Sequence, residues 1–157
     1  MLRRVWTLKG QRPRALSSHN YEWLYVFGFV HPCTGRTEWM IMPEVSTGVM
    51  SIALGEFARA VGAGSRKNIL LVLDQAGWHI SNDLVVPAGI HLVFLPSYTP
   101  ELQPAERLWP LINEAIANQD CSDLDTLERR LVERCRELIS QPKVIQGVTQ
   151  YHWWPNC

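Results

Sequence analysis

Apolar and polar positions along the chain fall into blocks with different periods. Tyr21 to Val30 is dense in aromatic and β-branched residues, His31 to Gly35 supplies turn residues, and Arg36 to Met42 resumes a strand-like composition. That pattern predicts an antiparallel hairpin. Met50, Leu54, Phe57 and Val61 then recur at helical spacing and stop at Gly62 and Gly64, as in an amphipathic helix with a glycine stop. From Asn68 to Leu73 every position but the first is apolar, which predicts a central strand covered on both faces. Ile90 to Leu95 is a second such run. Between these strands, Trp78 to Leu84 is expected to form a short helix capped by Ser81.

Pro104 is placed to open a helix whose apolar face is Leu108, Leu111, Ile112, Ala115 and Ile116. Pro110 interrupts it, because a proline removes an N–H and crowds the preceding turn, so a kink or a start delayed to about Trp109 is expected. Glu106 then falls at or just before the first regular turn. A last helix from about Asp123 to Ile139 carries Leu124, Leu127, Leu131, Cys135 and Leu138 on one stripe, with Ser122 and Asp125 giving a capping-box-like start. The closing VTQYHWWPNC is aromatic and uncapped. Strands and helices in this order make a mixed α/β chain. Its 157 residues, 46% apolar, suit one domain over 1–157.

Formal net charge is zero, so the whole-molecule field argues mildly against autonomous binding to a polyanion. The charge is uneven, however. Arg3, Arg4, Lys9, Arg12 and Arg14 precede the first acid, Glu22, making a basic N-terminal arm over 1–20 that is either a set of phosphate contacts or a solvated tail. Cys33, Cys121, Cys135 and Cys157 show no close paired spacing; reduced thiols are expected, with neither a zinc knuckle nor a disulfide framework. No apolar stretch is long enough to span a membrane and none resembles a signal-peptide core, so a cytoplasmic location without a membrane partner is expected.

Candidate chemistry rests on two acids. Asp74 closes the apolar run that begins at Asn68, and Glu106 lies in LPSYTPELQPAERLW. Alone, an Asp ending a strand is a turn former, and a Glu at a helix start merely complements the helix dipole. Together, a strand-end carboxylate and one from a downstream helix can converge on a hard cation. His79 lies five residues beyond Asp74, suited to contacting a phosphate, orienting Asp74 or simply filling a structural place. Arg107 either reaches a phosphate or sits in water. Tyr98, Thr99 and Pro100 are read as shaping the loop that aims Glu106, Glu101 as a loop or capping residue, and Trp109 as core.

The blocks LVLDQAGWH and LPSYTPELQPAERLW resemble the paired motifs of DDE transposase catalytic domains in the mariner-like superfamily, in its bacterial insertion-sequence branch. WTLKGQRP, the YVFGFVHPCTG hairpin and the closing helix extend the likeness over most of the chain. The resemblance implies a ribonuclease H-like mixed sheet flanked by helices, with Asp74 and Glu106 as the second and third catalytic acids. It also implies Mg2+ (or Mn2+) as cofactor and DNA, both element ends and target, as partner, with a homo-oligomer assembled on that DNA. The expected function is DNA transposition by metal-dependent strand cleavage and strand transfer.

One feature of the family's pattern is missing. Its first catalytic Asp belongs on the first strand of the sheet, upstream of WTLKG, yet no Asp precedes Asp74; Glu22, Glu38 and Glu44 fall in or after the hairpin. The expected fold therefore lacks its first, central strand, and the domain reads as truncated. The chain is expected to be inactive alone, with an upstream transposase fragment or a full-length transposase supplying the first acid, and the arm from Arg4 to Leu8 is one candidate filler of the gap. A non-catalytic DNA-binding or dimerising remnant is the alternative function, and an unrelated metal-dependent hydrolase using Asp74, His79 and Glu106 is a third.

Overall fold

The computed structural model describes residues 8–10, 23–117, 121, 123–152 and 154. The hairpin forms as its composition predicts. β1 (Tyr25–His31) pairs antiparallel with β2 (Arg36–Met42), Tyr25 opposite Met42 and His31 opposite Arg36. The strand begins at Tyr25; Tyr21 and Glu22 lie outside the described residues.

α1 (Thr47–Val61) starts where Ser46 Oγ accepts from the Val49 N–H, satisfying one of the donors that a helix start leaves open. It ends at Gly62, whose φ of 71° is a left-handed conformation that costs a residue with a Cβ but not glycine. Met50, Ala53, Leu54, Phe57 and Ala58 are its buried face. The two apolar runs become β3 (Ile69–Leu73) and β4 (Ile90–Phe94), paired in parallel with Ile69 opposite Ile90 and Leu73 opposite Phe94.

Side chains alternate across a strand, and this sorts the core into two layers. Phe27, Phe29, Met40 and Met42 of the hairpin join Ile69, Leu71, Leu73, Ile90 and Leu92 against α1, with Phe29 and Phe57 stacked at 4.3 Å. The other hairpin face, Val26, Val30, Trp39 and Ile41, packs on Leu108 and Ile112, on Leu131, Cys135 and Leu138 of α3 (Leu124–Ile139), and on Ile145 of α4 (Pro142–Thr149). The hairpin is therefore covered on both sides, whereas β3 and β4 pack in the α1 cluster through one face. Leu70 remains 72% exposed and Val93 43%. The expectation of a doubly covered β3 is corrected accordingly: a continuous apolar run marks a strand that suits burial on both faces, not one that has found both partners.

Among the described residues the four strands form two separate two-stranded sheets. Between them lies a cavity of about 790 Å³, lined by every residue of β1 and of β3, by Arg36 and Glu38 of β2, and by none of β4. Consecutive residues of a strand all lining one space means that its edge, not a face, forms the wall. Among the described residues no strand lies in this cavity, which is bounded by the outer edges of β1 and β3.

The region expected to be a short helix, Trp78 to Leu84, is a succession of turns. His79 and Ile80 N–H both reach the Ala76 carbonyl, Ser81 Oγ accepts from the Asp83 N–H, and Val85 N–H is taken by Ser51 Oγ of α1. The serine offers the backbone a local alternative to the helix ladder. Pro104–Leu108 is a 3-10 turn, and α2 (Trp109–Glu114) starts only at Trp109 with Pro110 in its first turn, the delayed start that Pro110 imposes.

The cap of α3 is Asp123, whose Oδ1 takes the Thr126 N–H at 2.6 Å; Ser122 lies outside the described residues. α4 was not foreseen from the pattern, although Pro142 stands in its first turn as prolines favour. It docks on the hairpin turn, where Gln146 Nε2 donates to the Cys33 carbonyl at 2.6 Å. The expectation of four reduced thiols is also corrected. Cys33 is disulfide-bonded, while Cys121 and Cys135 are free; sequence spacing carries no information on which cysteines meet in space. No described helix is long and apolar enough to cross a membrane.

Candidate active site

Asp74 stands on the first residue beyond β3, at one end of the cavity wall. Its Oδ1 accepts from the Ala76 N–H at 3.1 Å, the local bond expected of an Asp at a strand exit, and from His79 Nδ1 at 2.6 Å. A carboxylate only accepts, so the imidazole carries its proton on Nδ1. His79 is thus hydrogen-bonded to Asp74. Its side chain is 12% exposed and makes an edge contact with Trp78, whereas the Asp74 side chain is 55% exposed.

Gln75 fastens this turn to the exit of β4. Its amide N–H donates to the Leu95 carbonyl at 2.8 Å and its oxygen accepts from Ser97 Oγ at 3.1 Å. The chain then passes Tyr98, fully exposed at φ 60°, and a 3-10 turn over Pro100–Leu102 before reaching Pro104. Thr99 closes this loop by donating to the Pro96 carbonyl. Glu101 is exposed in that turn and does not line the cavity.

Glu106 sits in the 3-10 turn before α2 and does line the cavity, as do Asp74, His79, Gln103 and Trp109. The structure therefore brings the two acids to one space. Glu106 Oε1 accepts from Trp109 Nε1 at 3.2 Å, a contact hidden by reading Trp109 as core alone. The available signal was its position: side chains three apart in a 3-10 turn eclipse one another.

Arg107 is not brought in. Its Nε donates to Tyr151 Oη at 3.1 Å and its guanidinium lies over the Tyr151 ring, away from the cavity lining. Lys9 is exposed and likewise outside the lining; Arg3, Arg4, Arg12 and Arg14 lie outside the described residues.

Each acid gives one oxygen to a donor of the chain and keeps a second that bonds to no other described group. Free carboxylate oxygens suit a hard divalent cation. Two carboxylates are nevertheless a small set, and no cluster of three or more His, Cys, Asp or Glu poised for a metal occurs among the described residues.

A family model described as DDE superfamily endonuclease matches residues 1–128, and the chain belongs to that family, a superfamily that works with divalent metal ions. Within it, the relationships are of the mariner and IS630 type. The chain is 34% identical over 132 residues to "Uncharacterized protein y4pE/y4sA" of Sinorhizobium fredii (strain NBRC 101917 / NGR234), a match covering 83% of this chain and 96% of that protein. It is 25% identical over 131 residues to the "Insertion element IS630 uncharacterized 39 kDa protein" of Shigella sonnei, covering 80% of this chain but 38% of that one. Among solved structures, the Mos1 strand transfer complex aligns with TM-score 0.59 at 13% identity, and the Mos1 transposase paired-end complex with 0.57 at 12%. Both cover 96% of this chain and about half (51% and 52%) of the Mos1 chain. At such identities the likeness carries the fold, which is ribonuclease H-like.

Proposed function

We propose that the chain is catalytic machinery of a divalent-cation-dependent transposase that cleaves and joins DNA strands, with Asp74 and Glu106 as its cation-holding acids. The observation that carries this reading is that two acids far apart in sequence line one cavity. Family membership supports it, as do the DNA assemblies named for the Mos1 structures, a strand transfer complex and a paired-end complex with a transposon end. DNA ends and target are the substrates on this reading, and copies of the protein assemble on them.

Asp74 and Glu106 each offer an unshared oxygen, a donor type that suits Mg2+ and accepts Mn2+. His79 holds Asp74 in place through Oδ1. When bound, the cation supplies Lewis acidity at the phosphoryl oxygen and an ionised nucleophile at neutral pH.

The finer part of the proposal is that residues 1–157 do not suffice. The third carboxylate, on the strand that the resemblance sets upstream, comes from an upstream transposase segment or a full-length transposase. The cavity suits such a strand, because sheet edges present backbone donors and acceptors that an added strand satisfies. Lys9 remains available to phosphate.

Nicking of supercoiled plasmid in Mg2+ tests the reading. The purified chain is expected to leave the plasmid intact, and co-expression with an upstream segment carrying the Asp strand is expected to produce nicking that Glu106→Gln abolishes. Nicking by the chain alone, still lost in Glu106→Gln, overturns the need for a partner. Nicking indifferent to Glu106→Gln overturns the catalytic assignment.

A further inference from the structure

An indole N–H is a donor with no alternative role, and when covered it must find an acceptor. Trp109 finds Glu106 Oε1, at 3.2 Å. The indole is itself held on several sides. Its ring meets Trp39 edge-on, with centroids 6.5 Å apart and planes at 67°. Trp39 is anchored in turn, its Nε1 donating to Thr37 Oγ1 at 2.9 Å, and Thr37 is buried at 4% exposure. Across from both rings runs the backbone of Gly28, where a Cβ would stand 2.6 Å from Trp39 Cζ3 and 3.4 Å from Trp109 Cη2.

A tryptophan that only filled the core would serve as well with any ring of its size. This one is fixed by a second anchored tryptophan and spends its single polar atom on an acid that lines the cavity. We propose that Trp109 is a positioning residue for Glu106. Its N–H holds Oε1 and leaves Oε2 for the cation, and the Thr37–Trp39 pair keeps the indole where it can do so. The proposal rests on the reading of Glu106 as a cation-holding acid.

Calorimetric titration of the full chain with Mn2+ tests both separately. Trp109→Phe keeps a ring and removes the N–H; it is expected to weaken Mn2+ binding by about tenfold, the scale seen when a group orienting a metal ligand is lost, with the melting midpoint held to within a few degrees. Thr37→Val is expected to weaken binding in the same direction and Thr37→Ser, which retains the acceptor, to restore it. Packing alone would not separate valine from serine in a metal titration, and that pair decides the matter if Trp109→Phe fails to fold. Parental Mn2+ affinity in Trp109→Phe and Thr37→Val, alongside loss in Glu106→Gln, overturns the positioning role and leaves the cation reading standing. Unchanged affinity in Glu106→Gln brings down the cation reading itself.

Discussion

His79 Nδ1 lies 2.6 Å from Asp74 Oδ1, joining an imidazole that is mostly covered to a carboxylate that is mostly open. On the proposed reading the asymmetry divides the labour: the covered group fixes geometry and the open one faces the cation. His79→Ala removes one of the two donors to Oδ1 and leaves only the Ala76 N–H. Mn2+ affinity should fall by about tenfold or more. Unchanged affinity would make His79 a purely structural residue.

Gly28 faces the paired indoles with no room for a methyl group. Gly28→Ala should cost roughly 1 to 3 kcal/mol, the range for overpacking a core, read as a lower urea midpoint. A midpoint equal to the parent's would mean that Trp39 has free space to retreat into.

Among the described residues no strand fills the opening between β1 and β3, and on the proposed reading a strand's worth of burial is missing there. Each apolar side chain such a strand would bury is worth roughly 1.5 to 3 kcal/mol, against a typical net stability of about 5 to 15 kcal/mol. The isolated chain should therefore unfold at low urea over a broad transition. A sharp transition of ordinary stability in the isolated monomer would contradict this.

Leu70 and Val93 project from the uncovered face of the β3–β4 pair. On the proposed reading that copies assemble, replacing both with threonine puts a β-branched residue suited to strands at each site and should reduce self-association in sedimentation velocity, with stability changed by less than about 0.5 kcal/mol per site. Unaltered sedimentation would show that this face is not a contact between copies.

Cys135 is buried in the α3 core, and burial pushes its thiol up from 9.0 to about 11. Iodoacetamide at pH 8 should label Cys121 and spare Cys135 until urea unfolds the chain. The folded chain holds that proton more tightly than the unfolded one, so this contribution to stability is whole below pH 9.0 and declines as pH rises toward 11. Cys135→Ala should lack that alkaline component, and mass spectrometry after labelling checks the first half of the prediction.

Elements with a strong period were legible in the sequence. The β1–β2 hairpin, α1 with its stop at Gly62, and the late start of α2 at Trp109 follow from strand-like composition around turn residues, helical spacing and the missing N–H of Pro110. Short segments were not, because local hydrogen bonds decide them: Ser81 bonds its own turn and ends the expected helix, and α4 is recruited by contacts to the hairpin turn 113 residues earlier in the chain. At the site, Asp74, His79 and Glu106 were visible through their motifs and Trp109's hydrogen bond was not, since it depends on the 3-10 turn between them. Arg107 shows the converse, a charge beside the acid in sequence whose side chain turns to Tyr151.

Asp74 travels with the β3–β4 pair, fastened there through Gln75, while the turn bearing Glu106 packs against β1 and α4. The two acids thus belong to opposite banks of the opening, and its breadth sets the span between their oxygens. On the proposed reading, a polypeptide lodged there would act as a gauge block, trimming the span between the two carboxylates at the moment of assembly, so that joining tightens an ion seat the free chain already holds loosely.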